Sequence, residues 1–130
     1  MTPAAPPLRL PGRPAGRNLP LMTELRLLYV TTKNAEQARA LGQELLRRNL
    51  IACANILPQM ESIYRWKGEI QNDQETVVIF KTQRALVPQA TKAIEELHEY
   101  ETPCVLELPI ESGSQGYLNW LLQETQPPSR

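Results

Sequence analysis

Thiolate, imidazole and carboxylate groups are the side chains of this sequence that could hold a soft metal ion. Cys53 and Cys104 supply the thiols, His98 the only imidazole, and Glu75 or Glu107 a carboxylate. That donor set suits copper or zinc. The residues are not at the short intervals of a zinc motif, so only tertiary folding could assemble them. Nucleophilic catalysis has a weaker footing. Any Cys–His pair must use His98, and both cysteines stand in apolar, β-rich surroundings that do not activate a thiol. GxSxG, HExxH and phosphate-cradling glycine loops are absent. The residues therefore give no enzymatic reading.

Each candidate also has a purely structural role open to it. The cysteines can be two reduced, buried thiols of a cytosolic protein. His98 can sit in the last turn of a helix, where the dipole favours its protonated form. Trp66 and Trp120 can pack in a core or an interface. Lys81 closes an apolar strand and needs a carboxylate, an anion or open solvent; a buried ion pair is the simplest answer.

The elements that must position these residues follow from hydrophobic period. Residues 25–32 (LRLLYVTT) read as a central strand. Asn34 and Gln37 resemble a capping box, and Ala35, Ala38, Leu41, Gly42, Leu45 and Leu46 form one apolar helical face. Arg47 and Arg48 suit a helix C-terminus, and Asn49 a left-handed cap. A long hairpin then spans Leu50 to Thr82 and turns at Trp66-Lys67-Gly68-Glu69. Pro58 predicts a bulge in its first arm, and Asn72-Asp73 predict a second irregularity. Residues 85–100 return to helical period, with Val87, Ala90, Ile94 and Leu97 buried and Pro88 in the first turn. Residues 104–110 read as a fourth strand, and a short amphipathic helix starts at Tyr117.

The order β-α-β-β-α-β plus a C-terminal helix is the ferredoxin-like, α+β arrangement: an antiparallel sheet with two helices on one face. The other face is left bare, and its apolar residues make self-association a physical expectation.

Composition narrows the remaining classes. The 130 residues carry 14 basic and 14 acidic side chains, so no net charge draws the chain to nucleic acid or membrane. RNA-recognition domains share the topology but need strand aromatics and basic charge, whereas this chain has one phenylalanine, Phe80. No apolar run approaches a membrane span. Residues 1–22 hold six of the 12 prolines and no acidic residue, and read as a disordered or spurious extension, with Met22 a natural start. The domain is placed at residues 23–125, with 126–130 a frayed tail.

Several motifs in fixed order then carry a family resemblance. They are Ala52-Cys53-Ala54-Asn55-Ile56-Leu57-Pro58, Ser62-Ile63-Tyr64-Arg65-Trp66-Lys67-Gly68, Lys81-Thr82, His98-Glu99-Tyr100-Glu101-Thr102-Pro103 and Tyr117-Leu118-Asn119-Trp120-Leu121. Together they resemble the CutA divalent-cation-tolerance proteins, from about Leu25 to Glu124. The resemblance implies a homotrimer built through the long hairpin, similar in architecture to the PII signalling proteins. It also implies a cytoplasmic, non-enzymatic protein linked to tolerance of divalent cations, with copper binding proposed for some members. Cys53 matches the family's ACVN cysteine and His98 its HPY histidine, which makes them the expected ligands, with Cys104 third. Three departures deplete that site. Thr31 stands where some copper-binding members end the first strand with Cys, and Leu97 where they have His. The HPYE-x-PE motif here loses a proline and trades a glutamate for Cys104. The alternative implied is a PII-like regulatory trimer that binds a partner protein or a small anion at clefts lined by Lys81, Tyr100 and Trp66.

Overall fold

The computed structural model describes residues 24–126. The expectations for residues 1–22 and for 127–130 lie outside the described residues. Four strands, β1 (Leu25–Thr32), β2 (Cys53–Trp66), β3 (Glu69–Gln83) and β4 (Val105–Pro109), form one sheet in the order β2-β3-β1-β4. Every pairing is antiparallel. Three helices, α1 (Ala35–Arg47), α2 (Val87–Leu97) and α3 (Gln115–Glu124), complete the α+β fold.

Side-chain alternation decides which sheet face is covered. Leu28 and Val30 of β1 and Val78 and Phe80 of β3 point to one side. There they meet Ala38, Leu41 and Leu45 of α1 and Ala90, Ala93 and Ile94 of α2, all buried. Leu27, Tyr29 and Thr31 alternate with them and face the other side, together with their register partners Lys81, Ile79 and Val77. Only one end of that second face is capped within the described chain. Leu118 and Leu121 of α3 pack there on Leu25, beside Ala52 and Ile110.

Local chemistry accounts for the boundaries. The Asn34 side chain accepts from the Gln37 N–H at 2.8 Å and caps α1. Gln37 reaches back to the Lys33 N–H rather than to that of Asn34, so the expected box closes one residue early. Asn49 takes φ 60° just past α1. Gly42 lets α1 approach β2 closely, since a Cβ there would stand 3.1 Å from that of Ala54.

The hairpin behaves as its residues require, with one exception. Lys67 and Gly68 turn it with φ of 52° and 82°, the doubly positive pattern that matches strand twist. After Pro58 the register slips between Leu57 and Met60, and Gln59 takes φ 67°. The irregularity expected at Asn72-Asp73 does not occur: both pair in register, with Ile63 and Ser62. Their side chains explain the tolerance, because Asn72 donates to Glu61 and Asp73 accepts from Tyr64 across the strands.

Helix α2 ends three residues earlier than its period suggested. It stops at Leu97, which is exposed, and Ala93 is buried in its place on the stripe. His98 is the C-cap with extended backbone, outside the last turn. A short 3-10 turn over Arg84–Leu86, not expected from the sequence, leads into α2.

Candidate functional site

The bare sheet face and the inner side of the hairpin enclose the largest hollow described, a cleft of about 730 Å³. Alternation along β2 builds one wall. Met60, Ser62, Tyr64 and Trp66 lie on one side of the strand and all line the cleft. Tyr29 and Thr31 of β1 and Glu75 of β3 form its floor, and the segment after α2 adds Tyr100, Glu101, Thr102 and Cys104. An adjoining hollow of about 470 Å³ shares Tyr64 and Tyr100 and adds Lys33, Asp73 and Glu99.

Hydroxyl donors organise the carboxylates. Glu75 accepts from Ser62 at 2.8 Å and from Tyr100 at 2.9 Å, one donor on each oxygen. Tyr64 donates to Asp73 at 2.5 Å. Burial, and then the bond to Glu75, push the Tyr100 phenol well above its ordinary range. The bond to Asp73 raises that of Tyr64. Both tyrosines are therefore fixed hydrogen-bond donors. The ion pairs of the described residues lie elsewhere: Arg26 with Glu107, Arg47 and Arg48 with Glu44, and Arg84 with Glu24.

His98 supports this wall from behind. Its Nδ1 accepts the Tyr100 backbone N–H at 3.0 Å, so Nδ1 carries no proton. Its Nε2 stands 2.8 Å from the Thr31 carbonyl oxygen, to which it must donate. The ring is the neutral Nε2–H tautomer, not the protonated form expected of a helix-end histidine. It is buried, with both nitrogens engaged.

The sequence-derived candidates separate into two groups. Cys104, Tyr100 and Trp66 line the cleft, and His98 lies just behind it. Cys53 and Lys81 occupy the other end of the sheet, paired with each other and, through Lys81, with Leu27. Thr31, which His98 contacts, is four residues further along β1. At about 3.3 Å per residue that is roughly 13 Å of strand, with two strand spacings in addition. Cys53, His98 and Cys104 therefore do not converge within one chain. Among the described residues no group of three or more His, Cys, Asp or Glu side chains could hold a metal ion.

Each remaining candidate has a local explanation. The Cys53 thiol is buried and faces Asn55 Oδ1 at 3.6 Å. Lys81 donates to the Tyr117 hydroxyl at 3.2 Å and stands 5.1 Å from that ring's centroid, so a phenol takes the place of the expected carboxylate. Glu107 is tied to Arg26 on the sheet edge. Burial raises the Cys104 thiol above its ordinary range, the Thr31 hydrogen bond opposes the shift, and the Glu75 charge adds to it. Cys104 is thus a protonated thiol at neutral pH.

Sequence reasoning missed Tyr64 and Ser62 as parts of the site. Their signal was the period-two alternation along β2, legible only once the bulge at Gln59 fixes which side faces inward.

Residues 26–124 match the family model described as CutA1 divalent ion tolerance protein. The chain is 40% identical over 101 residues to mouse Protein CutA, covering 78% of this chain and 57% of the mouse protein. It thus spans a little over half the length of that relative. The Divalent-cation tolerance protein CutA of Thermus thermophilus is 37% identical over 99 residues, covering 76% of this chain and 96% of that protein. Among solved structures, CutA1 from Oryza sativa superposes with a TM-score of 0.78 at 36% identity, over 83% of this chain and 99% of that one. The Thermus thermophilus structure gives 0.75 at 36% identity, over 78% and 99%.

Proposed function

The chain belongs to the CutA1 divalent ion tolerance family, and we propose that it acts in divalent cation tolerance as a non-enzymatic, cytoplasmic homotrimer of ferredoxin-like subunits. The observation that carries the assembly is the bare sheet face. Leu57, Leu106 and Leu108 on it are 54%, 55% and 43% exposed. An apolar surface of this kind is what a stable subunit interface covers. Two free cysteines at opposite ends of that face suit a reducing compartment.

Copper, or another divalent cation, is the proposed ligand. The residues do not fit a Cys53–His98–Cys104 site within one chain, because both His98 nitrogens are engaged and Cys53 lies at the far end of the sheet. Of the three, Cys104 alone lines the cleft, near Glu75. A soft cation there must displace the thiol proton. Copper titration followed by absorbance tests this in the wild type and in Cys104→Ser, Cys53→Ser and His98→Ala. Loss of affinity in Cys104→Ser alone is the expected result. Equal affinity in all four proteins would remove Cys104 from the ligand set. The alternative of a small anionic ligand draws no support from the cleft, whose lining carries Glu61, Glu75 and Glu101 and no basic side chain.

A further inference from the structure

We propose that a neighbouring copy of the chain seats a carboxylate against the Lys81 ammonium. Among the described residues, Lys81 is the one lysine or arginine that is neither exposed nor in an ion pair. Lys33, Arg39, Arg65, Lys67 and Lys92 are exposed and meet water. Arg26, half-buried like Lys81, has Glu107 at 2.9 Å. Lys81 has a neutral partner instead: it donates to the Tyr117 hydroxyl at 3.2 Å and stands 5.1 Å from that ring's centroid. A phenol offers an acceptor and a π face but no countercharge.

The position of Lys81 makes that shortfall matter. It lies on the bare sheet face, in register with Leu27 of β1 and Cys53 of β2. Once a second subunit covers this face, water no longer compensates the ammonium. An unpaired charge out of water costs far more than a paired one. The chain holds the complementary groups. Among the described residues only Glu24, Glu44 and Glu107 are engaged in ion pairs, so most of its acidic side chains remain available to a neighbour. A free anion would satisfy Lys81 and leave Leu57, Leu106 and Leu108 of the same face in water. A second copy brings the apolar surface and the carboxylate together.

This inference rests on the homotrimer proposed above, and its test separates the two. The full chain is treated with a water-soluble carbodiimide, which joins an ammonium to a carboxylate that touches it. The covalent dimer is then isolated on a denaturing gel and mapped by mass spectrometry. The expected result is an amide between Lys81 of one copy and an Asp or Glu of another. A second arm compares Lys81→Arg, which keeps the charge, with Lys81→Met in urea-driven dissociation followed by light scattering. Lys81→Arg should dissociate as the wild type does, and Lys81→Met should raise the dissociation constant at least about tenfold. Should Lys81→Met fail to fold, the carbodiimide map of the wild type decides alone. A Lys81 left unjoined in a covalent dimer, or Lys81→Met dissociating as Lys81→Arg does, would overturn the proposal. Light scattering before treatment keeps the outcomes apart: a monomer overturns both readings, and a trimer without the Lys81 link overturns this one alone.

Discussion

At His98 two ring nitrogens tie three segments together: the end of α2, the carbonyl of Thr31 in β1 and the backbone of Tyr100. Removing the ring leaves a buried carbonyl and an N–H without partners. His98→Ala should therefore cost about 2–4 kcal/mol of stability, measured by urea unfolding. Loss below about 0.5 kcal/mol would mean that water replaces the ring freely. Cys104 and Tyr100 give a pH prediction of definite sign. Both have folded-state pKa values raised above their unfolded ones. The unfolded chain therefore loses these protons first, and stability must fall as pH rises above the unfolded thiol and phenol values, about 8.5 and 10. Thermal melts from pH 7 to 10.5 should decline, and Tyr100→Phe should flatten the upper part of that decline. A flat profile in the wild type would contradict the assignment. The motifs containing His98 and Cys104 were legible in the sequence. Their tautomer and protonation were not, because both depend on Thr31, a residue 67 positions from His98 that only strand pairing brings alongside.

At the scale of elements, the hairpin turns its inner side chains toward the cleft through two special backbone positions. Gly68 at φ 82° has open space around its Cα, so Gly68→Ala is a pure backbone test and should cost about 1 kcal/mol. Gln59 at φ 67° is the converse case. Gln59→Gly should be neutral or slightly stabilising, whereas β-branched Gln59→Val should destabilise by about 1–2 kcal/mol. Equal stability of the two variants would place the bulge elsewhere than in the Gln59 backbone. Pro58 and Gly68 announced both irregularities in the sequence, because proline lacks the N–H a strand ladder needs and glycine tolerates positive φ. Asn72 and Asp73 misled for a physical reason: turn-forming side chains stay in a strand when cross-strand partners, here Glu61 and Tyr64, take their hydrogen bonds. The end of α2 was misplaced because helical period continues through Leu97, while Pro103 stops the helix no earlier than several residues on. Nothing local marks His98 as the cap; the Thr31 carbonyl holds it there.

For the whole molecule, the sheet divides into a face sealed by α1 and α2 and a face sealed only at one end by α3. The first was legible from hydrophobic period alone. The second could be inferred only by subtraction, since two helices cannot cover both sides of four strands. The joining of Ser62 and Tyr100 on Glu75 at that face was not legible, because it links β2, β3 and the segment after α2. The account holds that this face is where subunits meet. Multi-angle light scattering of the full chain tests that claim most directly. Three copies of the 14.7 kDa chain predict a single species near 44 kDa that persists on dilution; a monodisperse species at 14.7 kDa would contradict it.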